Sequence, residues 1–375
     1  MAARRFSFHL ECSGCHTTYD PNQLINVCRK CGSPLLVQYD LSPAPDLRHE
    51  IQHRAPNMWR YAEVLPDDDG VTLGEGITPL LPSKQHANVW IKDESKNPTR
   101  SFKSRGMSPA VTMAKKLGAR SLATPTAGNA GAALSAYGAR AGIPVFIAMP
   151  RDTPKSIENE CRSYGADVEL VQGLITDAGK RVQQYIATNG GFDLSTLKEP
   201  YRVEGKKIMG YELLEDLGRR PDAILYPTGG GTGLIGMWKA FDEMQRLGWI
   251  GAERPRMYSV QSSGCAPIVR AFKANLDSAP EWESPHTVAW GLRVPRAIGD
   301  RLMLRALRDS HGSAVAVDES QIEAAAAEIR TKEGMDAGPE GGAALLGFKQ
   351  LMKEGAIREG EWTVIFNTGG NKYSA

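Results

Sequence analysis

Three short stretches of this sequence carry residues able to do chemistry at the end of a strand. In the first, Lys92-Asp-Glu-Ser-Lys-Asn-Pro-Thr-Arg-Ser-Phe-Lys103-Ser-Arg-Gly106, a strand ends, Pro98 blocks its continuation and Lys103 falls just inside the next helix. A lysine there faces the positive end of the helix dipole, which favours the neutral, nucleophilic amine and suits imine formation with an aldehyde. Alone, such a lysine is weak evidence, because most lysines in such positions are simply solvated. In the second, Thr124-Pro-Thr-Ala-Gly-Asn-Ala-Gly131, a small-residue loop opens directly into a helix. Its backbone N–H groups suit a carboxylate, and the Asn129 amide suits a phenolic oxygen. Alone, it is also an ordinary tight turn. In the third, Thr228-Gly-Gly-Gly-Thr-Gly233, glycines let successive N–H groups approach a phosphate at a helix N-terminus.

The commoner phosphate sites fit the third loop badly. A nucleotide P-loop ends in Gly-Lys-Ser/Thr, which is absent, and a dinucleotide fold wants an acidic residue closing the next strand, where this chain has Gln261. Pyridoxal phosphate (PLP) is a phosphate-bearing cofactor that also needs a lysine. A fourth feature stands apart: Cys12-Ser-Gly-Cys15, twelve intervening residues, then Cys28-Arg-Lys-Cys31. Two such knuckles complete a tetrahedral S4 shell with no open position, so Cys12, Cys15, Cys28 and Cys31 read as the ligands of a structural zinc ion, with His16 a spare ligand that is not needed. The alternative is four unrelated thiols. Cys161 and Cys265 read as small apolar fillers.

These loops must be held by a scaffold, and its pattern is legible. From Val71 onward short apolar runs alternate with helical stretches: VWIKDE, SRGMSPAVTMAKKLG, SLATPT, AGAALSAYGARAG, PVFIAMP and DVELVQG, then AILYPT, a helix from about Leu234 to Leu247, RMYSVQ, a helix around Gln321 to Glu333, and WTVIFN. Such alternation argues for α/β architecture with parallel sheets covered by helices, where ligands bind beyond the carboxyl ends of the strands. The expected organisation is a zinc ribbon over 1–40, a linker or wrapping arm over 41–70, a large lobe from 71–103 and 196–375, and a small lobe over 104–195, with the cofactor in the cleft between lobes. The arm is rich in proline and charge and lacks periodicity.

The 375 residues, 41% of them hydrophobic, suffice for more than one core. Lys plus Arg (45) nearly balance Asp plus Glu (43), which gives no reason to invoke nucleic acid or a membrane surface as partner and points to a small molecule. No apolar run reaches signal-peptide or membrane-span length, and the paired cysteines suit a reducing compartment, so the expected location is the cytoplasm.

Gly74-Glu-Gly-Ile-Thr-Pro79, Asn97-Pro-Thr-Arg-Ser-Phe-Lys103, Pro125-Thr-Ala-Gly-Asn129 and the glycine loop together resemble the threonine synthases of the tryptophan-synthase-β superfamily, from about Val71 to the C-terminus. The resemblance implies a fold-type-II PLP enzyme, commonly a homodimer, in which Lys103 carries the cofactor and later moves protons, Asn129 bonds its 3′ oxygen, and Gly229, Gly230, Gly231 and Thr232 cradle its phosphate. It implies that Thr368 faces the pyridine nitrogen, that Thr126 and the loop amides hold the substrate carboxylate, and that Arg202, in Glu199-Pro-Tyr-Arg-Val-Glu-Gly-Lys206, takes the phosphate of O-phosphohomoserine. The sequence departs from the family pattern at Arg100, where glycine is usual, at Ser104, where aspartate is frequent, at Trp290, where a small side chain is expected, and in a shortened tail after Thr368. An extra cation and an indole near the site would suit a different anionic amino acid, so a β-replacement or β-elimination enzyme, similar to cysteate synthases or to serine and threonine dehydratases, is the alternative. A non-catalytic scaffold with a PLP fold is the reading furthest from these residues.

Overall fold

The computed structural model describes residues 5–372. Two compact units share the chain: one comprises residues up to Gly76 together with Lys103–Lys206, the other Ile77–Phe102 together with the chain from Lys207 onward. No helix among the described residues is long and apolar enough to cross a membrane.

The first unit holds two sheets. A small antiparallel one has the order Thr18–Tyr19, Phe8–Cys12, Leu35–Tyr39, and a parallel one has the order Asp167–Val171, Val145–Pro150, Leu122–Pro125, Phe192–Asp193. All six residues of Val145–Pro150 are buried, which is why this strand reads as an unbroken apolar run instead of an alternating one. Helix Lys103–Lys116 is crowded against the first turn of helix Arg202–Leu217, and glycines make the approach feasible. A Cβ on Gly205 would stand 1.8 Å from the Arg105 carbonyl oxygen, and one on Gly106 would stand 2.8 Å from both Arg202 O and Lys206 Cε.

Residues 41–70 are not a featureless arm. They form helix Pro45–Gln52 and a 3-10 turn over Met58–Val64, and Leu47, Ile51, Met58, Trp59, Tyr61, Val64 and Leu65 are buried. The indole N–H of Trp59 donates to Ser108 Oγ at 3.0 Å, which ties this segment to the lysine-bearing helix. Leu47 and Ile51 are four residues apart and share a helix face, but prolines and charges on either side hide that spacing in the sequence.

The second unit is built on a six-stranded sheet ordered Ser313–Val317, Arg256–Ser262, Ala223–Pro227, Thr363–Asn367, Val89–Asp93, Leu80–Pro82. All its pairs are parallel except the last. The two central strands are buried at every position, and Leu225, Val260, Ile365 and Phe348 lie in the core beneath them. Truncating such a side chain to alanine costs about 2–5 kcal/mol, so the sheet gives the loops at its carboxyl edge a stiff base.

Candidate functional site

Lys103 is the first residue of helix Lys103–Lys116, as its sequence position predicts, and is half-buried. The segment before it belongs to the second unit and is stitched to the end of the chain. Phe102 N donates to Thr368 O at 3.0 Å, Ser101 bridges Gly369, and Gly370 N donates to Arg100 O at 2.9 Å. Below them, Asp93 Oδ1 accepts from Ser95 Oγ (2.6 Å) and Asn367 Nδ2 (2.9 Å), so the ends of two neighbouring strands are locked at the point where the lysine turn departs. Thr78, from the Gly74–Pro79 motif, donates to Glu94 Oε1 at 2.6 Å. Thr368 is 4% exposed.

Arg100 occupies the left-handed region with φ 54°, which explains in physical terms why glycine suits this position. Its guanidinium does not stand as a spare cation. Nη2 donates to Asp336 Oδ2 at 2.7 Å and to Asn371 O at 3.2 Å, while Asp336 Oδ1 accepts from Asn371 N at 3.0 Å. The Asp336 carboxyl lies below its usual range: burial opposes this, and the Arg100 bond and the Asn371 amide outweigh it. Trp290 is likewise engaged, with the Arg293 guanidinium 5.1 Å over its ring.

The glycine loop lies in the second unit between strand Ala223–Pro227 and helix Thr232–Arg246. Gly231 caps that helix with φ 78°, and a Cβ there would meet Met303 Sδ at 2.1 Å. At Gly229 an added Cβ would come within 2.1 Å of Gly291 O. The loop thus presents backbone without side chains at a helix start, whose first N–H groups have no intrahelical acceptor. Gln261, where a dinucleotide fold would have an acid, donates to Thr228 O at 3.1 Å and accepts from Ile268 N and Val269 N, fixing the loop from behind.

In the first unit, Asn129 begins helix Asn129–Ala141, which ends at Gly142 in the left-handed conformation. Its Oδ1 is buried with no hydrogen-bond partner among the described residues. Thr126 Oγ1 bonds within its own turn, to Gly128 O and from Gly128 N, both at 3.1 Å, and Thr126 N donates to Ala148 O at 3.0 Å, so two of the loop's amides are already engaged in holding its shape. Arg202 is 1% exposed; Nη1 donates to Leu194 O at 2.7 Å, while Nε and Nη2 have no partner among the described residues. Burial pulls this guanidinium below its ordinary range, against the pull of Glu199 and Asp193. Two further groups here were not singled out by sequence reasoning. Glu199 accepts from Tyr201 N and Arg202 N, and its carboxyl is pushed up to about 7 by burial. Lys206, one helical turn past Arg202, is held well below the ordinary lysine range by burial and by the like charges of Arg202 and Lys103. A run as charged as Lys198-Glu199…Glu204-Gly-Lys-Lys207 reads in sequence as a solvated face, so only burial reveals it.

The Sγ atoms of Cys12, Cys15, Cys28 and Cys31 all lie within 4.8 Å of one another, with Cys12–Cys31 at 3.4 Å, Cys31–Cys15 at 3.5 Å and Cys15–Cys28 at 3.6 Å. Disulfides would be far shorter, whereas a tetrahedral S4 shell with ordinary zinc–sulfur bonds spaces its sulfurs at about 3.8 Å. The amides of Gly14 and Cys15 point at Cys12 Sγ, each at 3.4 Å, as expected for knuckles that stabilise thiolates. Cys161 and Cys265 are fully buried.

Residues 71–369 match the family described as pyridoxal-phosphate dependent enzyme. The chain is 33% identical over 371 residues to a threonine synthase of Methanosarcina acetivorans, covering 96% of this chain and 91% of that protein. It is 32% identical, over the same shares, to a threonine synthase of Methanocaldococcus jannaschii. Among solved structures it resembles maize serine racemase (TM-score 0.68, 21% identity, 88% of this chain and 94% of that one) and a Rhizomucor miehei L-serine ammonia-lyase (TM-score 0.69, 21% identity, 82% and 96%). At these identities the structural likeness shows the fold.

Proposed function

This chain belongs to the pyridoxal-phosphate-dependent enzyme family, and from that premise we propose that it catalyses the threonine synthase reaction, converting O-phosphohomoserine and water to L-threonine and phosphate. The observation that carries the choice of substrate is Arg202: a buried guanidinium with one nitrogen anchored and two lacking partners is suited to a bidentate oxyanion contact.

The residues present fit the cofactor. Lys103 would hold it covalently, Asn129, with its buried unpaired oxygen, would face its ring substituents, the Gly229–Thr232 loop would take its phosphate, and the Thr368 hydroxyl would face its pyridine nitrogen. When bound, PLP supplies an electron sink beside the substrate nitrogen. The protein supplies the rest. Thr126 and the loop that follows it would hold the substrate carboxylate, and Arg202 would hold its phosphate, so the carbon chain between them is oriented before any proton moves. The Lys103 amine would take the proton from Cα and serve proton transfer at more than one carbon: loss of a Cβ proton supplies the electron pair that expels phosphate from Cγ, a proton is added at Cγ, water adds at Cβ, and a proton returns to Cα. Burial and the like charges of Arg202 and Lys103 favour the uncharged form of Lys206 beside that amine.

Arg100 and Trp290, the departures that favour a β-replacement or β-elimination enzyme, are occupied with Asp336 and Arg293, which weighs for the threonine synthase reading. The four clustered cysteines would hold a structural zinc ion, and the working form would be a cytoplasmic homodimer. Purified PLP-loaded protein supplied separately with O-phosphohomoserine, O-phosphoserine, L-threonine, and O-phosphoserine plus sulfite, with products identified by mass, tests the reading. Threonine from the first substrate alone is expected. Turnover confined to the others would move the enzyme to the alternative class.

A further inference from the structure

The cysteine-bearing module and the phosphate-binding arginine lie in the same unit and are joined by one side chain. Asn26, two residues before Cys28, donates both hydrogens of its Nδ2, one to Asp193 O and one to Lys198 O, each at 2.7 Å. Those carbonyls mark the two ends of a short loop. Inside it, Leu194 O is the acceptor that anchors Arg202 Nη1 at 2.7 Å. Asp193 adds its own constraint by accepting from Ser195 N at 2.8 Å and from Gln183 Nε2 at 2.6 Å. Just past the loop, the Tyr201 hydroxyl donates to Pro21 O at 3.3 Å, and Glu199 holds the amides of Tyr201 and Arg202. The module therefore grips the segment from Asp193 to Arg202 at three points, and two of them rest on one amide.

We infer that Asn26 is a positioning residue for the substrate phosphate: by cross-linking both ends of the 193–198 loop it fixes the carbonyl against which Arg202 is braced. This rests on the reading of Arg202 as the phosphate-binding group. A guanidinium braced through one nitrogen presents its other two in a fixed plane, whereas one on a loose loop must be ordered by the ligand at the ligand's expense. The N-terminal module then sets affinity for the anionic end of the substrate and leaves the lysine turn alone.

The test compares Asn26→Ala, Asn26→Thr and Arg202→Ala with the unchanged protein, all loaded with PLP. Calorimetric affinity for inorganic phosphate, KM and kcat for O-phosphohomoserine, the cofactor absorbance spectrum and hydrogen exchange of the 193–202 amides are measured. Asn26→Ala is expected to weaken phosphate binding and raise KM about five- to tenfold, the loss of one to two hydrogen bonds, with kcat and the spectrum unchanged and faster exchange at Ser195, Tyr201 and Arg202. Asn26→Thr, with one donor for two carbonyls, is expected to show the same split at smaller size, and it carries the test should the alanine variant not fold. Unchanged phosphate affinity in folded Asn26 variants while Arg202→Ala loses it would overturn the inference and leave the phosphate reading standing. Unchanged affinity in all three would remove both. A parallel fall in kcat, cofactor binding and phosphate affinity would reduce Asn26 to a structural prop and overturn the inference as well.

Discussion

Replacing Arg100 by glycine and, separately, Asp336 by alanine divides the cost of a strained backbone from the value of the contact it supports. Arg100 has φ 54°, a conformation that costs a residue with a Cβ about 1–2 kcal/mol relative to glycine. Its ion pair with Asp336 is half in water, with side chains 51% and 35% exposed, so it contributes no more than about 0.5–1 kcal/mol. In Arg100→Gly the pair and the bond to Asn371 O are lost, but the strain goes with them. The greater freedom of unfolded glycine removes about 0.4–1 kcal/mol of that gain, and the net effect on stability is close to zero. Asp336→Ala keeps the strain while losing the pair and the acceptor for Asn371 N, a loss of about 1.5–2 kcal/mol. At roughly 1.3 °C per kcal/mol for a chain of this length, thermal unfolding is expected to fall by about 2–3 °C in Asp336→Ala and to stay within about 1 °C of the parent in Arg100→Gly. Both variants release the segment after Thr368, so cofactor dissociation, followed by loss of its visible absorbance in dilute protein, is expected to quicken in each. Equal destabilisation of the two would refute the claim that Arg100 bears backbone strain.

Other perturbations have equally definite outcomes. Glu199 has a folded pKa of about 7 against an ordinary 4.5, so the folded state binds its proton more tightly: this stabilisation is complete below pH 4.5 and is lost as pH rises through 7. Glu199→Gln should remove that segment, of order 3 kcal/mol, from a plot of denaturant stability against pH; an unchanged slope would contradict the assignment. Gly229→Ala drives a Cβ to 2.1 Å from Gly291 O and is expected to weaken PLP binding in equilibrium titration about tenfold or more, while Gly179→Ala, in open space inside helix Ile175–Asn189, should leave it unchanged and add about 0.5–1 kcal/mol of stability. One zinc ion per chain is expected by metal analysis, and Cys28→Ser should lower it sharply.

The parts of the fold written in local periodicity were legible. Strands such as Val145–Pro150 and Thr363–Asn367 are apolar runs bounded by turn residues, and Lys103 starts its helix because Pro98 and the strand end leave it no other place. The cysteine spacing carried the S4 cluster in the same way. What escaped depends on partners distant in sequence. Asn26 looks like any loop asparagine until its carbonyl acceptors, 167 and 172 residues away, are known. Lys206 and Glu199 look solvated because charge in sequence does not announce burial, and Arg100 reads either as a solvated side chain or as an additional cation for a ligand because its partner Asp336 is 236 residues away. Residues 41–70 read as an arm because prolines and charges interrupt any period, while Trp59 is placed by its bond to Ser108, 49 residues away.

The most direct measurement is borohydride reduction of the PLP-loaded protein followed by digestion and mass mapping of the pyridoxyl group. The label is expected on the peptide containing Lys103 and nowhere else, and Lys103→Ala should neither retain it nor release phosphate from O-phosphohomoserine. A label on Lys206 or any other lysine, or an unlabelled protein that still releases phosphate, would contradict the assignment of this strand-to-helix turn as the centre of the chemistry.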